Sequence, residues 1–131
     1  MQAFQIQTDA RDQMIDITDR VRRAIADSGV ESGMAFVYCP HTTGGVTINE
    51  NADPDVVRDL ITIFDRLVPW QAGYRHAEGN AAAHAKSSLV GCSAQVIVDG
   101  GQPVLGTWQS VFFCEFDGPR SRRFFVQIVP A

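Results

Sequence analysis

No apolar run in this chain approaches the ~20 residues that a membrane-spanning helix requires. The opening residues, Met1-Gln2-Ala3-Phe4-Gln5, include neither a basic leader nor an apolar signal core, so a cytoplasmic protein is expected. Cysteine is scarce. The three thiols cannot all pair and none forms a C-x-x-C, so Cys39, Cys92 and Cys114 are expected to be reduced and buried instead of acting as ligands or nucleophiles. Positive charge is in deficit, with 11 Lys and Arg against 15 Asp and Glu and a net charge of −4. Binding a nucleic-acid backbone or an anionic membrane needs cations clustered on one face, so both partners are set aside. Repeats, low-complexity tracts and Pro/Gly/Ser linkers are absent, and 131 residues suffice for one core, so residues 1–131 are expected to form a single domain.

What is present alternates between two periodicities. Phe4, Ile6 and then Ile15, Ile17 flank a polar connection from Thr8 to Asp12, predicting an opening hairpin. Thr18 is placed as an N-cap for a helix whose buried face carries Val21, Ala24 and Ile25, with Gly29 ending it in a left-handed conformation. A buried strand from Met34 to Cys39 and a short one near Val46 to Ile48 follow. Asp53-Pro54 reads as an N-cap and a first-turn proline for a helix to about Leu67, with Val56, Val57, Leu60, Phe64 and Leu67 as its buried stripe. After a loop over 69–80, an Ala-rich helix runs from about Ala82 to Val90 and stops at Gly91. Strands are predicted over Ser93 to Val98, Pro103 to Gly106, Trp108 to Phe116 and Arg122 to Val129, with Asp99-Gly100-Gly101 and Asp117-Gly118-Pro119 as turns. Strands not interleaved with helices give an α+β fold.

Histidine is as rare as cysteine, and His41, His76 and His84 all fall in loops or at element edges. Imidazole is the favoured nitrogen ligand of zinc-like ions, and three protein ligands with an open position is the catalytic pattern. No H-x-x-x-H spacing supports such a site, and hydrogen-bonded structural histidines remain the plainer reading. Glu50, Asp53 and Glu115 are candidates to orient the imidazoles or carry protons, Asp53 having its N-cap role as the alternative. Thr42, Thr43, Gly44 and Gly45 offer hydroxyls and free backbone for an anion, or simply a turn. Lys86, Ser87 and Ser88 offer a cation and two hydroxyls on a helix, or its surface. Arg120, Arg122 and Arg123 form a basic cluster able to meet a small phosphate, or a solvated turn. Trp108 and Gln109 could stack on and hydrogen-bond a heterocycle, or fill a curved sheet. A nucleophile elbow is missing, and Cys39 is placed at a buried strand end, so covalent catalysis is not expected.

Several separated motifs resemble the YjbQ family from about Val37 to Val129. They are His41-Thr42-Thr43-Gly44-Gly45-Val46-Thr47-Ile48-Asn49-Glu50-Asn51, Asp53-Pro54-Asp55, Arg75-His76, His84-Ala85-Lys86-Ser87-Ser88-Leu89, and the string from Ser93 through Gly106-Thr107-Trp108-Gln109 to Val111. The resemblance implies a mixed, mostly antiparallel sheet curled into a half-barrel with helices on one side, assembled as a homotrimer. It also implies a secondary thiamine-phosphate synthase-like activity, joining a pyrimidine pyrophosphate to a thiazole phosphate with release of pyrophosphate. A divalent metal, zinc or magnesium, would be held by His41, His76 and His84, which fall on the family's histidine positions. Glu50, Lys86, Gln109 and Glu115 would serve catalysis, and Thr42, Thr43, Gly44, Asn49, Ser87, Ser88, Trp108 and Arg122 would bind a small phosphorylated substrate. Metal-dependent hydrolysis of a phosphorylated metabolite and a non-catalytic metal- or metabolite-binding trimer are the alternatives. The chain departs from the family pattern between His76 and His84, where Ala77 to Ala83 replace a longer spacer containing acids and proline.

Overall fold

The alternating residues near the N-terminus become two strands that do not pair with each other. In the computed structural model, which describes residues 1–131, β1 is Gln2–Gln7, β2 Gln13–Asp16, α1 Thr18–Ser28, β3 Ser32–Tyr38, β4 Gly44–Glu50 and α2 Pro54–Leu67. There follow α3 Ala81–Val90, β5 Ser93–Asp99, β6 Gln102–Pro103, β7 Gln109–Glu115 and β8 Ser121–Pro130. One sheet has five strands in the order β1-β8-β3-β5-β6 and the other three in the order β2-β7-β4. Every pairing is antiparallel, so the mixed sheet expected from the resemblance carries no parallel pair. Together the strands form an antiparallel half-barrel with three helices packed on it, an α+β fold.

The expected opening hairpin is therefore corrected. β1 pairs with β8 and β2 with β7, in different sheets. Alternation tells a strand which face to bury but not which neighbour to choose. The connection between them is a corner, where Thr8 N–H donates to the Arg120 carbonyl at 3.0 Å.

β7 explains the layering. Val111 and Phe113 face the main core, with Val21 and Ile25 of α1, Val37 of β3 and Phe124 of β8. Phe112, Cys114 and Phe116 face the other way, into a second cluster with Ala83 of α3 and the partly buried Val57 and Phe64 of α2. A strand buried on both faces reads as a continuous apolar run, as Val111 to Cys114 does.

Helix ends follow the sequence closely. Gly29 closes α1 at φ 69° and Asp53 caps α2 by accepting the Asp55 N–H at 2.9 Å. Thr18, however, is the first helical residue and not the cap. It is buried, and its hydroxyl accepts the Val111 N–H at 2.9 Å, tying α1 to β7. The stripe expected to bury α2 is only half covered. No residue of α2 is buried, and Leu67 is 67% exposed. Gly100 and Gly101, at φ 59° and 71°, make the hairpin turn between β5 and β6. No helix is long and apolar enough to cross a membrane.

Candidate functional site

The cleft begins where β3 ends. Tyr38 opposite Phe125 is the last residue pair between β3 and β8, because Pro40 carries no N–H to continue the ladder. His41 takes the next place with its side chain. Its Nε2 lies 3.1 Å from both the N–H and the carbonyl oxygen of Arg123 on β8. Burial, then the charge of Arg122, push its pKa below the ordinary histidine value, so the ring is neutral near neutral pH. Nε2 can accept the Arg123 N–H, leaving Nδ1 protonated, or donate to the Arg123 carbonyl, leaving Nδ1 a bare donor nitrogen.

Below His41 lies a buried ion pair. Arg122 donates through Nε to both Glu115 oxygens, at 2.9 and 3.1 Å, and through Nη2 to Glu115 and to the Thr43 hydroxyl at 2.7 Å. Glu115 also accepts from the Thr8 hydroxyl at 2.8 Å and from the N–H groups of Phe116 and Asp117, each at 3.1 Å. Burial pushes its carboxyl up, but these donors together outweigh burial and hold it below the usual carboxylate range. A carboxylate so fully engaged anchors Arg122. Carrying protons, the role expected of Glu115, would require breaking that set of bonds.

α3 contributes the far wall. His84 faces His76 from the preceding loop, with ring centroids 5.3 Å apart and planes at 79°. Two residues further along a helix points to nearly the opposite side. Lys86, the only lysine of the chain, accordingly turns away and is fully buried, its Nζ 2.7 Å from Asp12 and bonded also to Asp65. The substrate-facing cation expected there is thus a clamp between α3, α2 and the corner before β2. Its partner Asp65 is held below its usual range, by the Lys86 bond foremost. Ser87 donates to the Gly44 carbonyl at 2.5 Å inside the fold, and Ser88 to the His84 carbonyl at 3.0 Å. Neither hydroxyl has its proton free for a ligand in this arrangement. Gly44 and Gly45 belong to β4 and not to an anion loop. A Cβ on Gly45 would meet the Gly91 carbonyl at 2.6 Å, so that glycine permits α3 to approach β4.

These parts enclose a cleft of about 430 Å³ lined, apart from Pro40, by polar and charged residues. His41, Thr42, Thr43, His76, His84 and Arg122, all named as candidates from the sequence, line it together. Arg120, of the basic cluster expected to meet a phosphate, lines it too, and so do Glu78, Asn80 and Asp117, which were unforeseen as site residues. Asn80, the residue before α3, donates to Asp117 at 2.8 Å, and Arg120 binds the same carboxylate at 3.0 Å. In the sequence Asp117 showed only as part of a turn, Asp117-Gly118-Pro119, and Asn80 only as the end of the loop over 69–80. Cys92, expected to be buried, is exposed in an adjoining basin with Thr42, His84, Ser87 and Ser88. Cys39 and Cys114 are buried, which raises their thiols to about 11 and about 12.

Four expected site residues stand elsewhere. Asn49 and Glu50 end β4, Glu50 lying opposite Gln109, at the other end of a seven-residue strand about 20 Å long. Gln109 closes a local turn, its Oε1 accepting the Gly106 N–H at 2.8 Å. Trp108, placed by sequence at the start of a strand, lies outside β7 and is 62% exposed. Nor does one chain build the expected metal centre. His76 and His84 bring two imidazoles edge to face, but no three His, Cys, Asp or Glu side chains converge as ligands. A catalytic zinc site with three protein ligands does not fit a single chain.

The model of a protein family described as UPF0047 protein YjbQ-like matches residues 2–131. The chain belongs to the YjbQ family. The family match extends beyond the motif-bearing segment, taking in β1, β2 and α1. UPF0047 protein YugU of Bacillus subtilis is 53% identical over 130 residues, covering 98% of each chain. A UPF0047 protein of Methanocaldococcus jannaschii is 52% identical over 126 residues, covering 96% of this chain and 91% of that one. A crystal structure of a YjbQ/UPF0047 family protein from Clostridium acetobutylicum superposes with a TM-score of 0.97 at 52% identity, covering 98% of this chain and 100% of that one. One from Aeropyrum pernix, a hypothetical protein, gives 0.94 at 33% identity, covering 99% and 98%. The half-barrel is thus a YjbQ fold. The YjbQ family is one of uncharacterised function.

Proposed function

We propose that this YjbQ protein is a metal-dependent enzyme of secondary thiamine-phosphate synthase type, joining a pyrimidine pyrophosphate to a thiazole phosphate. The observation that carries the reading is the gathering of three imidazoles and two guanidiniums around one polar cleft. In this reaction the thiazole nitrogen forms a C–N bond to the pyrimidine methylene carbon while the C–O bond to pyrophosphate breaks. The electron pair leaves with pyrophosphate and the nitrogen becomes a thiazolium, so no proton is removed from the nucleophile. Glu115, the buried carboxylate beneath the cleft, is fully engaged by Arg122 and backbone N–H groups, and Asp117 on its wall by Asn80 and Arg120, which suits that chemistry, because charge stabilisation and not base catalysis is required.

Arg120 and Arg122 are each matched by a carboxylate, Asp117 and Glu115. The cleft therefore carries little uncompensated positive charge for a pyrophosphate. A divalent ion, zinc or magnesium, bound between His76 and His84, would supply it. Its third protein ligand, and the approach of Trp108, Gln109, Asn49 and Glu50 to the cleft, would come from a neighbouring copy in a homotrimer. The apolar outer face of the five-stranded sheet, with Phe36, Ile97, Val104 and Val129 exposed, supports such an assembly.

A second reading, a metabolite-binding trimer without turnover, is favoured by the engagement of Lys86 and Glu115 in buried ion pairs. Incubating the metal-loaded protein with both substrates separates the readings. Pyrophosphate released in step with thiamine phosphate, and at least tenfold slower in Arg120→Gln, supports the synthase. Orthophosphate release points to a hydrolase, and ligand binding with neither product to the binding protein.

A further inference from the structure

The cleft shares His41 and Arg122 with a second, smaller basin of about 240 Å³, whose remaining lining is Gln5, Ser121 and Arg123. No carboxylate lines it. Gln5 of β1 stands directly opposite Arg123 of β8, and Gln7 opposite Ser121, so these side chains share the outer face of the sheet. Ser121 donates to Gln7 at 3.0 Å. Arg123 makes no ion pair; its guanidinium lies 5.4 Å from the Phe125 ring centre, and Phe125 in turn lies parallel to Tyr38 at 6.5 Å. The aromatic ring thus holds the guanidinium without neutralising it. In a chain of net charge −4, where Arg120 and Arg122 next door each have an acid partner, this is a place of uncompensated positive charge beside the cleft.

We infer that this basin is an anion subsite, in which Arg123 and the Gln5 amide take a phosphoryl group of a ligand reaching in past His41. Its volume is below the roughly 300–1,000 Å³ of pockets that hold a whole small-molecule ligand, and suits one phosphoryl group. The guanidinium supplies paired N–H donors matched to phosphate oxygens. The backbone of Arg123 positions His41, so the residue that takes the anion also fixes the imidazole between basin and cleft. The inference rests on the proposed reaction for its meaning: two phosphorylated substrates need two anion subsites, and the basin gives the monophosphate a place apart from the pyrophosphate.

The test is calorimetric titration with inorganic phosphate at low ionic strength, on the wild type, Arg123→Gln and Arg120→Gln, each first shown folded by circular dichroism. The expected result is phosphate binding that weakens tenfold or more in Arg123→Gln and less than threefold in Arg120→Gln. Equal affinity in Arg123→Gln and wild type overturns the subsite, as does absence of phosphate binding to the wild type. Pyrophosphate release, measured on the same samples, keeps the two ideas apart. Turnover with no dependence of phosphate binding on Arg123 removes the subsite and leaves the reaction; Arg123-dependent binding with no turnover does the reverse.

Discussion

Two buried ion pairs set the behaviour of individual residues around the cleft. Lys86→Met would leave Asp12, itself largely buried, with only Arg11 at 2.6 Å to balance it. Removing one partner of a buried pair costs about 3–5 kcal/mol, and the surviving Arg11 contacts place this case near the lower figure. Urea unfolding should therefore show a loss of about 3 kcal/mol. Phosphate affinity should stay within twofold of wild type; a tenfold loss would mean that Lys86 reaches the ligand after all. Glu115 makes a prediction in pH. Its folded carboxyl lies below its unfolded value, so it contributes stability above the unfolded range, and that contribution is lost as pH falls from about 4.5 through the folded value. Glu115→Gln should be markedly less stable than wild type at neutral pH, because Arg122 is left buried without a charge partner. The two curves should converge in acid. Unfolding midpoints followed from pH 7 to 2 check this, and parallel curves would assign the acid sensitivity to other groups.

At the scale of elements, the sequence was most legible where one residue type has one local use. Gly29, Asp53-Pro54 and Gly100-Gly101 stand where their conformations or caps demand, and the strands from Ser93 onward lie within a residue or two of their expected bounds, except β6. What alternation could not convey was partnership. β1 and β2 joined different sheets, and Lys86 turned inward because Asp12 and Asp65, 74 and 21 residues away in the chain, meet it there. The site followed the same rule. Three histidines and the basic cluster with Arg120 and Arg122 pointed to the cleft, while Asn80 and Asp117, which complete it, looked like loop and turn chemistry. Gly45 shows how an element positions a functional side chain. Its added Cβ in Gly45→Ala would lie 2.6 Å from the Gly91 carbonyl and 3.1 Å from Val90, both at the end of α3. The carbonyl cannot yield without straining its bond to the Val46 N–H at 3.1 Å. Overpacking of this kind costs about 1–3 kcal/mol. The shift of α3 should also carry His84 away from His76, so elemental analysis of zinc-loaded protein should find less of the ion proposed for that pair alongside the lower urea midpoint. Unchanged metal content would mean that α3 tolerates the methyl without moving.

The whole molecule leaves two apolar surfaces uncovered, and they are unequal. α2 shows Ile63 and Leu67, whereas the outer face of the five-stranded sheet shows Phe36, Ile97, Val104 and Val129 around a shallow cavity of about 650 Å³. Large contiguous apolar area on a single chain marks an interface, so the sheet face is the surface on which the proposed homotrimer should close. Ile97, 57% exposed, lies near the start of β3, the end of the sheet away from His41 and Arg123. Ile97→Glu therefore tests assembly without touching the cleft. Sedimentation equilibrium should give three times the 14.4 kDa chain mass for wild type and for Leu67→Glu, and the single-chain mass for Ile97→Glu. In the proposed trimer Asn49, Glu50, Trp108 and Gln109 would reach the cleft of a neighbouring copy, so Ile97→Glu should also lose turnover while keeping the Arg123-dependent phosphate binding of the isolated chain. A monomeric variant with full turnover would place the complete site in one chain and remove the need for a partner.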